Sequence, residues 1–328
     1  MKIQRAVGTM VVLVAGGIVL LSLMWMQGMT GQAQGDTTVS RDGERTLSHG
    51  GFKRRYLVHL PPNYDGRQPL PVVLAFHGGG GHAEVQRKQS QMNPVADQNG
   101  FIVVYPDGTG HLRLLTWNAG SCCGYAVRKR VDDVGFVSAL IDNLARNYRI
   151  DQKRVYATGL SNGGMLCYRL ACELSDRIAA IAPVSADLGV DGPRPKRQVP
   201  ILHIHGLKDN NIVFQGGVGS NQFQAEPHRS NAETLGFFLK AYGYAEKPLE
   251  VKRTADYIFE RYGPPPGQPG APILLYKLIE GGHNWPGGVD TTGERWNTGK
   301  MIKNFPASTI MWQFFEQFTL DGPVTRPR

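Results

Sequence analysis

Val155-Tyr156-Ala157-Thr158-Gly159-Leu160-Ser161-Asn162-Gly163-Gly164-Met165 is the stretch on which the reading of this chain turns. An apolar run ends in a G-x-S-x-G turn, and a helical pattern over 165–174 follows. Strand, turn and helix in that order describe a nucleophile elbow. The turn is so tight that side chains at its flanks would clash, so glycines stand there. The serine between them sits in a strained backbone conformation that lifts its hydroxyl clear of the sheet. The helix start behind it offers N–H groups to a developing negative charge. In a chain with 41 glycines the bare pattern arises by chance, so the flanking strand and helix carry its meaning.

A serine hydroxyl is a poor nucleophile at neutral pH and needs a base, which needs an orienting acid. On an elbow of this kind they follow in the order Ser, Asp or Glu, His. Pro200-Ile201-Leu202-His203-Ile204-His205-Gly206 reads as a short buried strand running into the polar loop Leu207-Lys208-Asp209-Asn210-Asn211. Ile273-Leu274-Leu275-Tyr276-Lys277-Leu278-Ile279 reads as another strand, followed by Glu280-Gly281-Gly282-His283-Asn284-Trp285-Pro286. Ser161, Asp209 and His283 thus each stand just beyond a strand. Parallel strands would bring all three to one edge of the sheet. A post-strand Asp is more commonly a turn former or cap, and Asp187 and Asp191 are rivals for the acid. Of the nine histidines, His203 and His205 lie inside an apolar strand and read as core, whereas the glycines before His283 mark a loop. His49, His82, His111 and His228 lie in polar segments without an obvious partner.

Upstream, the apolar strand Pro71-Val72-Val73-Leu74-Ala75-Phe76 ends in His77-Gly78-Gly79-Gly80-Gly81. A glycine loop at this point lets a substrate carbonyl approach backbone N–H groups. The oxyanion donors are expected to be the N–H of Asn162 and one from Gly78, Gly79 or Gly80. A flexible linker is the rival reading, but linkers do not usually begin at a buried strand.

These motifs together resemble the secreted esterases known as polyhydroxybutyrate depolymerases and feruloyl esterases, within the α/β-hydrolases. The resemblance is carried by His77-Gly78-Gly79-Gly80-Gly81, Tyr105-Pro106-Asp107-Gly108, Trp117-Asn118 and Cys122-Cys123-Gly124. It continues through Asp132-Asp133-Val134-Gly135-Phe136, the elbow with Ala171-Cys172-Glu173, His205-Gly206 with Asp209, and Gly282-His283-Asn284-Trp285-Pro286. The set runs in order over residues 46–318. It implies Ser161, Asp209 and His283 as a catalytic triad, and ester hydrolysis without metal or organic cofactor. It also implies an ester substrate, small or polymer-linked: a feruloyl or acetyl ester of plant polysaccharide, or a hydroxyalkanoate polyester or oligomer. Solid-polymer depolymerases often carry a separate binding domain, and none is visible, which favours the first. The rival readings are a serine peptidase on the same fold, without an amine-anchoring acidic motif to support it, and a non-catalytic binding protein, which would commonly lack a triad member.

The expected fold is α/β, the α/β-hydrolase fold, with a mostly parallel central sheet and helices on both faces. Domain organisation reads as an export segment at 1–33, a polar tether at 34–48 and a catalytic domain at 49–328. Lys2 and Arg5 precede an apolar stretch over 6–26, and no acidic residue occurs before Asp36. That is an export signal, placing the chain in a secreted or periplasmic setting, with cleavage after Ala33. The stretch is also long enough to span a bilayer, so an uncleaved anchor is the alternative, and any membrane contact would run through it. Net charge is +9. The basic residues fall in short separate runs, Lys53-Arg54-Arg55, Arg128-Lys129-Arg130 and Arg194-Pro195-Lys196-Arg197, without a nucleic-acid motif, which argues against nucleic acid as a partner. Oligomeric state is not legible.

Four cysteines, Cys122, Cys123, Cys167 and Cys172, lack the spacing of a zinc site. In an exported chain they permit disulfides, and Cys172 is expected to bond Cys122 or Cys123, pinning the loop near Trp117 to the elbow helix; Cys167 reads as an ordinary buried residue. His77, Trp117 and Trp285 are candidate substrate contacts, since aromatic rings suit a sugar face or a phenolic acyl group; packing within their own loops is the alternative for the tryptophans. Further expected elements are strands at 54–60 and 101–105, and helices at 93–99, from Asp132 or Asp133 to 148, and at 307–318. A long loop at 108–130, a capping box at Ser230-Asn231-Ala232-Glu233 opening a helix to Tyr242, and a stiff loop at 263–267 complete the pass.

Overall fold

The structure, a computed structural model, describes residues 42–192, 194–220, 226–265, 268–291 and 298–324. The export segment at 1–33, tether residues 34–41 and Pro266-Gly267 of the stiff loop lie outside the described residues.

Chain order begins with the hairpin β1 (Asp42–His49) and β2 (Phe52–His59). Gly50 and Gly51, both at positive φ (56° and 80°), make the two-residue turn, which is what such a tight hairpin requires. The expected tether is therefore corrected: residues 42–48 form an edge strand, paired from Asp42↔His59 to His49↔Phe52. Its polar sequence hid it, because an edge strand need bury only part of one face. Next come β3 (Leu70–Phe76), α1 (Ala83–Ser90), α2 (Met92–Asn99) and β4 (Ile102–Pro106). The expected loop at 108–130 contains a small hairpin, β5 (Thr109–His111) and β6 (Leu114–Thr116), and the short α3 (Gly124–Arg128). Then follow α4 (Asp133–Asn147), β7 (Ile150–Leu160), α5 (Asn162–Glu173), β8 (Ala180–Val184) and β9 (Ile201–Gly206). The chain continues with α6 (Asn231–Tyr242), β10 (Glu250–Arg253), β11 (Tyr257–Tyr262) and β12 (Ile273–Leu278). It closes with α7 (Ala307–Phe315), β13 (Phe318–Thr319) and β14 (Gly322–Pro323).

Ten strands form one sheet in the order β1-β2-β4-β3-β7-β8-β9-β12-β11-β10. The six from β4 to β12 are mutually parallel; β2 and β11 flank them antiparallel, and the outermost β1 and β10 pair antiparallel with those in turn. Strands β4, β8 and β9 are buried throughout, as their continuous apolar runs require, while β1 and β10 are largely exposed. Alternation along β3 feeds two cores. Val72, Leu74 and Phe76 pack with Phe136, Leu140, Leu166, Leu170 and Phe238 of α4, α5 and α6. Val73 and Ala75 face the other way, with Met92, Phe101, Tyr156, Trp312 and Phe315 around α2 and α7. The sheet is thus covered on both faces, as expected. Among the described residues no helix is long and apolar enough to cross a membrane.

Helix ends follow their sequence signals. Asp132 caps α4 by accepting from the Gly135 N–H, and Ser230 and Glu233 close the capping box of α6. Asp133, the other candidate cap, instead pairs with Arg54 at 2.9 Å, both side chains buried.

Candidate active site

Ser161 stands at the end of β7 with φ 56° and ψ −125°, a conformation a non-glycine residue adopts only under constraint. The surrounding glycines show the constraint. A Cβ on Gly159 would lie 2.6 Å from the Gly163 carbonyl carbon. One on Gly163 would lie 2.4 Å from the Phe76 carbonyl oxygen, and one on Gly164 would lie 2.7 Å from the Ala186 methyl. Strand β3, helix α5 and the loop after β8 close on the turn too tightly for a side chain at any of these three glycines. The Ser161 N–H donates to the Val184 carbonyl at 2.9 Å, which fixes the turn against the neighbouring strand.

Asp209 follows β9 and His283 follows β12, the strand paired in parallel beside it. Both side chains are buried, and His283 Nδ1 lies 2.8 Å from Asp209 Oδ2. The other carboxylate oxygen accepts from the backbone N–H groups of Asn211 and Ile212, each at 2.9 Å. Burial alone would raise the Asp209 carboxyl. The His283 charge and hydrogen bond, with His205 and the Asn211 N–H, outweigh it and hold the group below its ordinary value. The two loops are tied by their backbones, Leu207 N–H to Leu278 O at 2.8 Å and Lys208 N–H to Gly281 O at 2.9 Å. Asn284 anchors the His283 loop, donating to the carbonyls of Thr298 and Gly299 at 3.1 Å each.

The glycine loop after β3 lies against the elbow. A Cβ on Gly78 would be 3.5 Å from that of Ser161, and one on Gly79 would be 3.7 Å from that of Asn162. The Gly80 N–H donates to Leu115 O at 2.8 Å, and the Gly81 N–H to Gly78 O at 3.0 Å. Gly80 is therefore corrected as an oxyanion donor, its N–H being spent on the β6 strand. Gly78 and Gly79 remain, with Asn162 at the open start of α5, where a helix leaves its first N–H groups free.

Three expected substrate contacts are corrected. His77 has no solvent exposure: Nδ1–H donates to Gly78 O at 2.7 Å, and Nε2 accepts from the Gly108 N–H at 2.9 Å. Trp117 is equally buried, with Nε1–H on His77 O at 3.0 Å and its ring edge-on to Phe76. Trp285 is buried and donates to Ser308 Oγ at 3.1 Å. All three hold loops in place through these buried bonds. The expected disulfide from Cys172 is corrected as well: Cys172 is a free, buried thiol, as is Cys167.

Two holding groups escaped the sequence reading. The Asn162 side chain brackets the Trp117 backbone, Oδ1 accepting from its N–H at 2.7 Å and Nδ2 donating to its carbonyl at 3.0 Å. Behind it, Asp133 accepts from the Asn118 N–H at 2.7 Å while paired to Arg54. An Asn after the nucleophile and an Arg in the alternating strand β2 carry no distinguishing local signal. The histidines of polar segments find ordinary partners, His49 with Asp132, His82 with Glu84 and His228 with Asp187, His111 packs edge-on to Tyr125, and His59 on β2 pairs with Asp42 and Asp97. Asp187, a rival for the acid, is thereby committed elsewhere; Asp191 is exposed and paired with Arg229.

Residues 54–190 match the family model described as esterase PHB depolymerase. A putative esterase, NocK, of Nocardia uniformis subsp. tsuyamanensis is 32% identical over 267 residues, covering 75% of this chain and 74% of that one. A bifunctional acetylxylan esterase/xylanase, XynS20E, of Neocallimastix patriciarum is 30% identical over 281 residues, 84% of this chain. The chain spans only 35% of that relative's length. The structure of an acetyl xylan esterase from Aspergillus awamori superposes with TM-score 0.55 at 15% identity, over 74% of this chain and 94% of that one. At that identity the likeness establishes the α/β-hydrolase fold.

Proposed function

The chain belongs to the PHB depolymerase esterase family, and from that premise we propose that it is an exported serine esterase working through Ser161, Asp209 and His283. The observation that carries the reading is the 2.8 Å bond between His283 Nδ1 and Asp209 Oδ2, made by two loops at the same edge of the parallel sheet as the elbow, after β9 and β12. With Nδ1 committed to the acid, the His283 Nε2 is left to take the Ser161 proton as the hydroxyl oxygen attacks the ester carbonyl. The oxyanion is held by N–H groups of Asn162 and of Gly78 or Gly79. His283 then protonates the departing alcohol; water, deprotonated by the same imidazole, adds to the acyl carbon, and as the bond to Ser161 Oγ breaks the imidazolium returns that proton to Ser161, releasing the acid. Feruloyl or acetyl esters of plant polysaccharide are the proposed substrates, supported by the motif set and by the relative named an acetylxylan esterase. Export is supported by the basic start and apolar run at 6–26.

Acid release by the purified protein and by Ser161→Ala, from methyl ferulate, acetylated xylan and hydroxybutyrate oligomer, tests this. Release from the first or second is expected, falling by at least about 10³-fold in the variant. Release from the oligomer alone would move the substrate class to hydroxyalkanoate esters. Undiminished activity of Ser161→Ala would overturn the mechanism.

A further inference from the structure

The scheme above leaves a buried polar chain beside the acid without a role. His203 and His205 stand two residues apart on β9 and therefore share a face. Both are almost wholly buried. The Tyr168 hydroxyl of α5 hydrogen-bonds His203 Nδ1, and His203 Nε2 lies 3.0 Å from His205 Nδ1. Asn231 Nδ2, at the start of α6, lies 2.8 Å from the same His205 nitrogen. On its other side His205 Nε2 lies 2.7 Å from the Ile212 carbonyl and 3.5 Å from Asp209 Oδ2. Both of those neighbours only accept, so the imidazole proton sits on Nε2. Phe214 packs edge-on against the ring, with centroids 5.4 Å apart. Burial favours the neutral form of His205, consistent with this single-proton arrangement.

Core histidines whose bonds are satisfied are the bland reading. A Phe or Leu would fill the same strand position without the cost of burying polar nitrogens. What distinguishes His205 is where its bond goes. Ile212 is held at both ends: its N–H donates to Asp209 Oδ1 at 2.9 Å, and its carbonyl accepts from His205 at 2.7 Å. The residue that grips the carboxylate is thus itself gripped by His205. The chain runs back through His203 to Tyr168, on the same helix that begins at the elbow.

We propose that His205 is a positioning residue for the acid: its Nε2–H, acting through the Ile212 carbonyl, holds the Asp209 carboxylate in the orientation in which it meets His283. The inference rests on the triad reading. Its test compares His205→Gln, whose amide nitrogen reaches the Nε2 position, with His205→Asn, whose amide stops near Nδ1. Steady-state kinetics would use whichever ester the wild type hydrolyses, at a temperature where melting curves show both variants folded. His205→Asn is expected to lower kcat by about 10²-fold with KM within about twofold, the size of effect a 1 Å misplacement produces. His205→Gln should recover most of that loss. The low-field proton resonance of the Asp209–His283 hydrogen bond should persist in the Gln variant and be lost or shifted in the Asn variant. Equal kcat in the two variants, or an unaltered resonance in both, would overturn the proposal. Asp209→Asn separates the two levels: if it is inactive while His205→Asn is fully active, only the positioning role fails. If Asp209→Asn itself is fully active, the triad reading falls and takes this inference with it.

Discussion

Acidification should drain the stability that His77 lends the glycine loop between about pH 6.5 and 4, largely above the range in which ordinary carboxylates titrate. The imidazole is fully buried, with its Nδ1 proton on the Gly78 carbonyl and its Nε2 lone pair on the Gly108 N–H. A second proton would have to enter at Nε2, facing another N–H in a fully buried site. Burial accordingly pushes the group down from 6.5 to about 4. The unfolded chain takes up this proton as pH falls through about 6.5, and the folded one does not until about 4. Stability contributed here is therefore complete above about 6.5 and drains away toward pH 4. At ~1.36 kcal/mol per pH unit, the gap amounts to about 3 kcal/mol. Urea unfolding of the wild type and His77→Asn at pH 7.5, 6.5, 5.5 and 4.5 reads it directly. The Asn variant keeps a donor for Gly78 and has nothing to titrate. It should be less stable than the wild type at pH 7.5, and the difference should shrink by about 2–3 kcal/mol by pH 4.5. Parallel stability curves over that range would refute the claim that His77 is held neutral by its partners.

Two further substitutions probe the supports behind the site. Arg54→Met should cost about 3–5 kcal/mol in denaturant unfolding, because it strands the buried Asp133 carboxylate; a loss under about 1 kcal/mol would mean that the pair holds nothing. Asn162→Ala keeps the backbone N–H proposed for the oxyanion but releases the Trp117 backbone. It should lower kcat by about tenfold to 10²-fold and slow labelling by a fluorophosphonate in step, and wild-type rates in both assays would sink that account.

Much of this architecture could be read from the chain because its parallel strands are buried on both faces and so write themselves as unbroken apolar runs, as at 72–76 and 102–105. The loops that follow them were equally visible, since glycines and polar residues interrupt those runs abruptly. The two ends of the sheet were not. Strands β1 and β10 are largely exposed and carry charged and polar residues, and their sequence is that of a tether or a loop. The aromatic residues misled for a related reason. Trp117 and Trp285 stand in loops beside the site, where an exposed ring would serve a ligand. Burial is a property of what folds over a loop, and that information lies 40 and 23 residues away in their partners His77 and Ser308. The cysteines show the same limit, since pairing depends on distances that spacing alone does not fix.

A common device links the holding groups. Loops beyond the strand ends lie past the sheet's hydrogen bonding, yet their backbone groups are buried and must be satisfied. Apolar packing cannot do this. The task falls to planar side chains that donate, or both donate and accept: Asn162 on Trp117, Asn284 on Thr298 and Gly299, and His205 on Ile212. Two of them directly follow proposed triad residues, Ser161 and His283. That placement has a physical consequence. At position 162 a side chain that secures the neighbouring loop leaves the residue's own backbone N–H at the open start of α5, and that N–H is the one the tetrahedral intermediate would need. If Asn162 instead secured the loop through its main chain, the oxyanion would lose a donor, at a cost of about 3–4 kcal/mol in the barrier. Rigidity and an open donor can therefore coexist at one residue only because the clamp is a side chain, which is why Asn162→Ala should loosen the site while leaving the proposed donor in place.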